Sequence, residues 1–311
     1  MATLGEEVHV GLRQVRKDEL EALKQRLARH LPHSLAVYGA VSLAARYGLH
    51  SQGPASILVP TGPRPSCLAV IAPITSGTKP NALRVFWSLE EHTAKDVTDR
   101  LSRLPHLDWN QPVLINCVST VLPSLQSLSS WGRRRVTLQA PHIVHLYQLK
   151  APTTMNTKLP QMYHVTRLRK EDASAVWTNW EFKTFDSMEN VRNDIIHFPS
   201  VGIRERGPED GAGSLQQEAE EILVSWTRTH KFGLMRNTFT LPQHRRQGLA
   251  GAATMALANQ LLQEGLPAFV AIEESNTASV QLHEKLGFER QIGVVDVELL
   301  FTEAVNQDYL G

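Results

Sequence analysis

Cysteine is almost missing from this chain. Only Cys67 and Cys117 occur in 311 residues, too few and too far apart for a disulfide framework or a cysteine-based metal site. A reduced intracellular compartment, cytoplasm or mitochondrion, and no metal are therefore expected. Long apolar runs are lacking as well. Nothing approaches the roughly 18 uninterrupted apolar residues of a membrane span, and the opening MATLGEEVHV has none of the basic-then-apolar layout of a secretory signal. Residues 10–30 are basic and amphipathic, as transit peptides are, but five acids over residues 6–21 argue against one. Charge of one sign is absent too. With 32 Lys+Arg against 31 Asp+Glu, the chain carries no electrostatic footprint of a nucleic-acid binder.

What is present is material for two cores. A chain of 311 residues, 42% hydrophobic, corresponds to two domains at roughly 100–200 residues each. Residues 1–150 hold 17 Lys+Arg against 10 Asp+Glu, and residues 151–311 hold 15 against 21. Two domains that simply differ, or two faces that attract, both account for this; screening beyond ~8–10 Å favours the first.

Leu20, Leu23, Leu27 and Leu31 recur at helical spacing, and Pro32 stops that helix. Short β-rich runs follow at 35–41, 56–60, 67–73, 83–89, 112–118 and 142–149, separated by Gly/Pro/Ser breakers, with one helix over 92–104. The polar, proline-bounded stretch 151–160 reads as the linker, giving domains 1–150 and 161–311. Beyond it the pattern restarts: a strand near 163, a helix whose first turn carries Glu171 and Asp172, and a helix over 187–197. Strands are expected in VGIRE, EILVSWTR and 232–242, with an exposed acidic excursion at 207–221. The fold class is mixed α/β (α+β).

The segment TLPQHRRQGLAGAATMALANQLLQEG (240–265) concentrates the chemistry. A strand ends, a basic turn with His244, Arg245 and Arg246 follows, then glycines open an Ala/Leu-rich helix. Glycines admit close backbone approach, and a helix N-terminus offers free N–H groups and partial positive charge, a combination suited to a pyrophosphate. The GK[ST] ending of a P-loop is missing, and so is the leading glycine pair of a dinucleotide fingerprint. A strand (267–274), a helix (276–288) and a last strand (293–301) come after it.

Arg245-x-x-Gly248-x-Ala250 resembles the acyl-CoA pyrophosphate motif, Gln/Arg-x-x-Gly-x-Gly/Ala, of the Gcn5-related N-acetyltransferase superfamily. Asn276-Thr-Ala-Ser279 with Leu286-Gly287-Phe288 is similar to its later motif. LPHSLAVYGAV (31–41), DWNQ (108–111), HFPSVGI (197–203), VSWT (224–227) and GLMRNTFTLPQHRRQGLAG (233–251) resemble the glycine N-acyltransferase family over most of the chain. The resemblance implies tandem acetyltransferase-like domains, each a mainly antiparallel sheet flanked by helices, with the CoA motif only in the second. It also implies transfer of an acyl group from acyl-CoA to the amine of a small amino acid, glycine or glutamine in type. Two fused halves lessen the need for a dimer, so a monomer is expected.

That reaction needs donors for the pyrophosphate, for which the N–H groups of Gln247, Gly248, Leu249, Ala250 and Gly251 are the candidates, beside Leu241, Arg245 and Arg246. It needs a base, because an ammonium has no lone pair. The family's glutamate position is Leu234 here, which cannot take a proton. Glu273 or Glu274 at the neighbouring strand end is the nearest carboxylate, and alternation allows only one to face the site; Glu273 is favoured, with His230 as a fallback. A backbone N–H of strand 234–240 is the expected oxyanion donor. Arg236 suits an acceptor carboxylate or a structural ion pair. His283 stands where superfamily members carry a thiolate-protonating tyrosine. Asn276 and Ser279 border the CoA site and cap and orient their helix. The Arg133–Arg135 run reads as a solvated turn. An acyl-CoA-binding protein without turnover, and an acyltransferase for a polyamine or protein lysine, are the alternatives.

Overall fold

The computed structural model describes residues 11–53, 55–62, 66–73, 82–104, 107, 113–123, 130–131, 134–138, 142–153, 159–181, 186–206 and 221–303. The chain divides into two compact units: residues 1–144 with 293–311, and residues 145–292.

The first unit is built on a sheet ordered β1-β2-β3-β4-β5-β14-β7-β6. Its strands are β1 (Leu12–Gln14), β2 (Ala55–Pro60), β3 (Ala69–Pro73), β4 (Ala82–Phe86), β5 (Val113–Val118), β6 (Ser130–Trp131), β7 (Arg134–Leu138) and part of β14 (Glu289–Glu303). Strands β4 and β5 run parallel, while β1 with β2, β2 with β3, β3 with β4, β14 with β5 and β7, and β6 with β7 are antiparallel. Helix α1 (Leu20–Ala28) buries Leu20, Leu23 and Leu27 and packs on α2 (Leu35–Tyr47). Here the expected strand at 35–41 is corrected. The apolar run continues through SLAARY to Gly48, too long for a strand, and nine of its residues are buried as a helix lying on β3 and β4. Helix α3 (Ala94–Leu101) is capped by Thr93, which accepts the Asp96 N–H. Arg134 and Arg135 lie in β7, not in a turn; Arg133 and DWNQ lie outside the described residues.

The second unit contains the antiparallel sheet β12-β11-β10-β9, formed by β9 (Tyr163–Thr166), β10 (Ser200–Glu205), β11 (Ile222–Thr229) and β12 (Met235–Thr240). Short helix α4 (Ala173–Thr178) and helix α5 (Met188–His197) pack together. Leu168, Val176, Trp180, Val191, Ile195 and Trp226 form their common core, each such side chain contributing about 1.5–3 kcal/mol by leaving water. Asp172, one of the two expected acids, accepts the Arg169 N–H at 2.7 Å. Helix α6 (Leu249–Gln263) lies against β10, β11, β12 and β13 (Ala268–Glu273). Its small residues Gly251, Ala252, Ala253 and Ala258 are buried, letting the backbone approach its neighbours closely. Helix α7 (Thr277–Lys285) follows. No described helix is long and apolar enough to cross a membrane.

The unit boundaries differ from a single break at 151–160. Residues 151–153 are tied to the second unit, Thr153 exchanging two 3.1 Å hydrogen bonds with the Asn259 side chain; residues 154–158 lie outside the described set. The expected last strand pairs within the first unit, Asp296–Phe301 against Val113–Val118 and Phe301–Glu303 against Val136–Leu138. Hydrogen bonding of β14 between β5 and β7 makes it an interior strand, so its loss would expose two edges. A chain cut after Ile292 should therefore lose protection of the first unit in limited proteolysis, with new cleavage inside residues 55–118. Unchanged protection would mean that β14 is peripheral.

Candidate active site

The candidate site starts where β12 ends. Leu241 donates its N–H to the Val224 carbonyl at 2.9 Å and packs against the α4/α5 core. Residues Pro242–His244 form one 3-10 turn. Arg246 (φ 64°) and Gly248 (φ 78°) then adopt left-handed conformations, and Gly248 becomes the N-cap of α6 with no side-chain cap. The first N–H groups of the helix are thus left without an intrahelical partner, beside an exposed turn. Positive φ at Gly248 favours glycine, and a Cβ built there meets nothing within 4 Å, so the outer side is open. The two arginines differ. Both are exposed, but Arg245 donates from Nε to the Thr240 carbonyl at 3.2 Å and lies 5.6 Å over Phe239.

Strand β12 carries a bulge. Trp226 pairs with Phe239 but Arg228 pairs with Arg236, so β12 has one extra residue in the interval. Asn237 within it is left-handed at φ 59°. Both polar atoms of its side-chain amide are sealed from solvent and have no hydrogen-bond partner among the described residues. On its far side β12 touches β13, yet the two belong to different sheets, β13 pairing with β8 (His142–Leu149) instead. The strands part there, leaving the bulged edge of β12 without a β13 ladder.

Beneath β12 sits a buried charge cluster that sequence reasoning missed. Arg228, fully buried, forms a close ion pair with Asp194 and lies 3.6 Å from Asp186. Burial alone would raise the Asp186 carboxyl, but its bond to His230 and the charges of Arg228 and Lys231 outweigh burial and hold it far below the usual range. The Trp180 ring takes the guanidinium of Arg228 at 5.5 Å and that of Arg236 at 4.7 Å. A signal existed for part of this: Asp194 stands beside Ile195 on the apolar stripe of its helix, where an acid must find a partner.

The fallback base fails on this geometry. His230 is 2% exposed rather than solvated. Its Nδ1 accepts the Phe232 N–H at 3.3 Å, so the proton of the neutral ring is on Nε2, 3.6 Å from Asp186. Neither nitrogen offers a lone pair to an incoming amine. Leu234 is buried, and its carbonyl accepts the His230 N–H at 2.8 Å in the hairpin.

Glu273 closes β13 half-buried, accepting from Ser275 Oγ at 3.5 Å, while Glu274 is exposed beside Arg290 at 3.7 Å. Asn276 caps α7, its Oδ1 accepting the Ser279 N–H at 3.2 Å. His283 is corrected in kind. Its Nδ1 lies 2.8 Å from the Ser279 carbonyl, which can only accept, so Nδ1 carries the proton. Burial holds the ring below the usual histidine range, hence neutral, and the buried Nε2 presents a lone pair. In this state Nε2 is an acceptor, not the acid expected from the position.

The family described as FR47-like protein matches residues 212–295, the bulged hairpin through β13 and α7. A Drosophila protein solved by X-ray crystallography is similar over 94% of this chain and 98% of its own, at 17% identity and a TM-score of 0.69. A candidate acetyltransferase from Pyrococcus horikoshii is similar over 94% and 89%, at 10% identity and a TM-score of 0.53. The fold is that of tandem acetyltransferase-like units with mainly antiparallel sheets flanked by helices.

His230 and His283 also set an acid response. Burial depresses both below the ordinary value, so below about pH 6.5 the unfolded chain binds protons that the folded chain refuses. Their contribution to stability then rises with pH through that window and falls on acidification. Asp194, whose carboxyl burial pushes up to about 7, acts in the opposite sense over the same range. The readout is therefore the difference between proteins: below about pH 6.5, His283→Gln should lower the acid sensitivity of the urea midpoint relative to wild type. An unchanged slope would show that His283 is not held neutral.

Proposed function

We propose that the second unit transfers an acyl group from an acyl-CoA thioester to the amine of a small amino acid of the glycine or glutamine class. The observation that carries this reading is the turn with left-handed Arg246 and Gly248 at the uncapped start of α6, which leaves N–H donors free beside the Arg246 cation for a pyrophosphate. The FR47-like match over the same stretch supports it. Gln247, Gly248, Leu249, Ala250 and Gly251 donate backbone N–H groups, and Leu241 and Arg245 shape the approach. Asn276 and Ser279 act by fixing the start of α7.

Arg236, whose guanidinium lies 4.7 Å from the Trp180 ring centroid, clamps the acceptor carboxylate, which a planar guanidinium suits. The acceptor amine then attacks the thioester carbon, and an N–H of bulged β12 receives the oxyanion. Glu273 takes the amine proton, directly or through water, since Leu234 has no acid–base chemistry and His230 has no free lone pair. His283 would have to gain a proton before it could protonate the thiolate. Leu234 is the observation favouring a second reading, a protein that binds acyl-CoA without turnover. An acyltransferase for a polyamine or protein lysine would draw on the acidic excess of residues 151–311.

Gly248→Glu places a carboxylate at the phosphate position with no steric clash, at a backbone cost of about 1–2 kcal/mol. It should abolish the melting-temperature rise given by acyl-CoAs while leaving a folded protein, whereas saturation of the wild type at 100 times Kd should add about 2.7 kcal/mol. Equal shifts in both proteins would remove the turn assignment, and a wild-type shift without thiol release on any acceptor would select the binding-only reading. Arg236→Ala should raise KM for glycine or glutamine about 10- to 100-fold, in line with a lost charge-assisted pair. Acceptors lacking a carboxylate should be unaffected; an equal loss for these would make Arg236 structural.

A further inference from the structure

The first unit, which lacks the CoA turn, holds a side-chain relay of its own. Ser66 precedes β3, His92 precedes α3, and Asp96 stands in the first turn of α3. Ser66 Oγ is 2.6 Å from His92 Nε2, and His92 Nδ1 is 2.7 Å from Asp96 Oδ2. An ionised carboxylate only accepts, so His92 Nδ1 carries a proton, and the neutral ring turns its Nε2 lone pair on the Ser66 hydroxyl. Asp96 is itself fixed, because Arg100 Nε donates to its other oxygen at 3.1 Å and Thr93 Oγ1 accepts its backbone N–H at the same distance. The three groups stand in the order and at the distances of a nucleophile, a base and an orienting carboxylate.

Two further contacts act on the hydroxyl. Leu68 donates its N–H to Ser66 Oγ at 2.9 Å, which stabilises negative charge developing on that oxygen. The next residue's N–H, that of Cys67, donates to Glu91 Oε2 at 2.8 Å, so an N–H directly beside the hydroxyl already holds an anionic oxygen. Glu91 is exposed. Of the two adjacent nucleophiles, the thiol loses. Cys67 is 3% exposed, and burial together with Glu91 pushes its pKa up to about 12, so it stays a protonated thiol beside His30 Nε2 at 3.1 Å. Ser66 is half-buried and carries the base.

We infer that Ser66, His92 and Asp96 form a second reactive site, a serine nucleophile for carboxylic esters or thioesters. Ser66 Oγ bonds to the acyl carbon as its proton passes to His92 Nε2. The carbon–leaving-group bond then breaks, and that proton goes to the departing thiolate or alkoxide. Water attacks the Ser66 ester by the same route, the acid departs and the hydroxyl is restored. The oxyanion takes the Cys67 N–H that Glu91 vacates.

The test is covalent labelling of the full chain with an alkyl fluorophosphonate, which loses fluoride on bonding to Ser66 Oγ, followed by intact mass and peptide mapping. One adduct on Ser66 is expected in the wild type and equally in Gly248→Glu, which separates this site from the proposed acyl-CoA turn. His92→Ala should slow labelling about 10²- to 10⁴-fold, the usual contribution of a positioned base. Ser66→Ala should take no adduct; should it not fold, Asp96→Asn, which keeps the volume and lets the ring reorient, should slow labelling as well. Folded wild type that takes no adduct at Ser66, or labelling indifferent to both His92→Ala and Asp96→Asn, would overturn the proposal.

Discussion

The parting of β12 from β13 is the constraint on which the second unit turns. Strands in sequence neighbourhood ordinarily close their ladder, because unpaired backbone groups are costly unless water or a ligand meets them. Here β12 ends its sheet and β13 joins β8. The bulge at Asn237 bends β12 and marks where ladder geometry is abandoned. Helix α6 touches both strands, and its start at Gly248 stands where β12 runs out. The small residues of α6 are the packing counterpart of that arrangement, since large side chains would hold the helix off both strands.

A second constraint lies beneath β12. Arg228, Asp186 and Asp194 are charged groups withdrawn from water, and such an ensemble holds only while its partners stay in place, since removing one leaves a buried charge uncompensated. It ties α5 to β11 through Asp194 and Arg228, and it orients Trp180, on which Arg236 rests. The same burial that makes the cluster rigid disqualifies His230 as a base. Strength in the scaffold and the loss of His230 as a base have one cause here: the groups of this cluster are withdrawn from water.

The site was legible unevenly. The turn 240–251 stood out because glycine, proline and arginine side chains act through local backbone geometry, which short-range sequence determines. Arg236 and Glu273 were placed on their strands for a similar reason, alternation being a two-residue rule. Trp180 and Asn237 gave no local sign, since the stacking of one and the left-handed bulge of the other depend on partners far along the chain. His283 shows the limit most sharply: its place in the helix followed from sequence, but which nitrogen holds the proton follows from the carbonyl of Ser279 and from burial.

Sequence alone determined the mixed α/β class, most strands and helices of both halves, and the glycine turn that opens α6. These rest on periodicity and on the φ preferences of glycine and proline, all local quantities. Tertiary structure decided that LAVYGAV is helical, because a uniformly apolar run takes whichever form its surroundings bury. It decided that the last strand completes the first unit's sheet, because strand pairing is non-local and no residue in β14 names its neighbours. It also brought Ser66 to His92 across 26 residues, a meeting set by how β3 and α3 are folded together and by nothing in either segment read by itself.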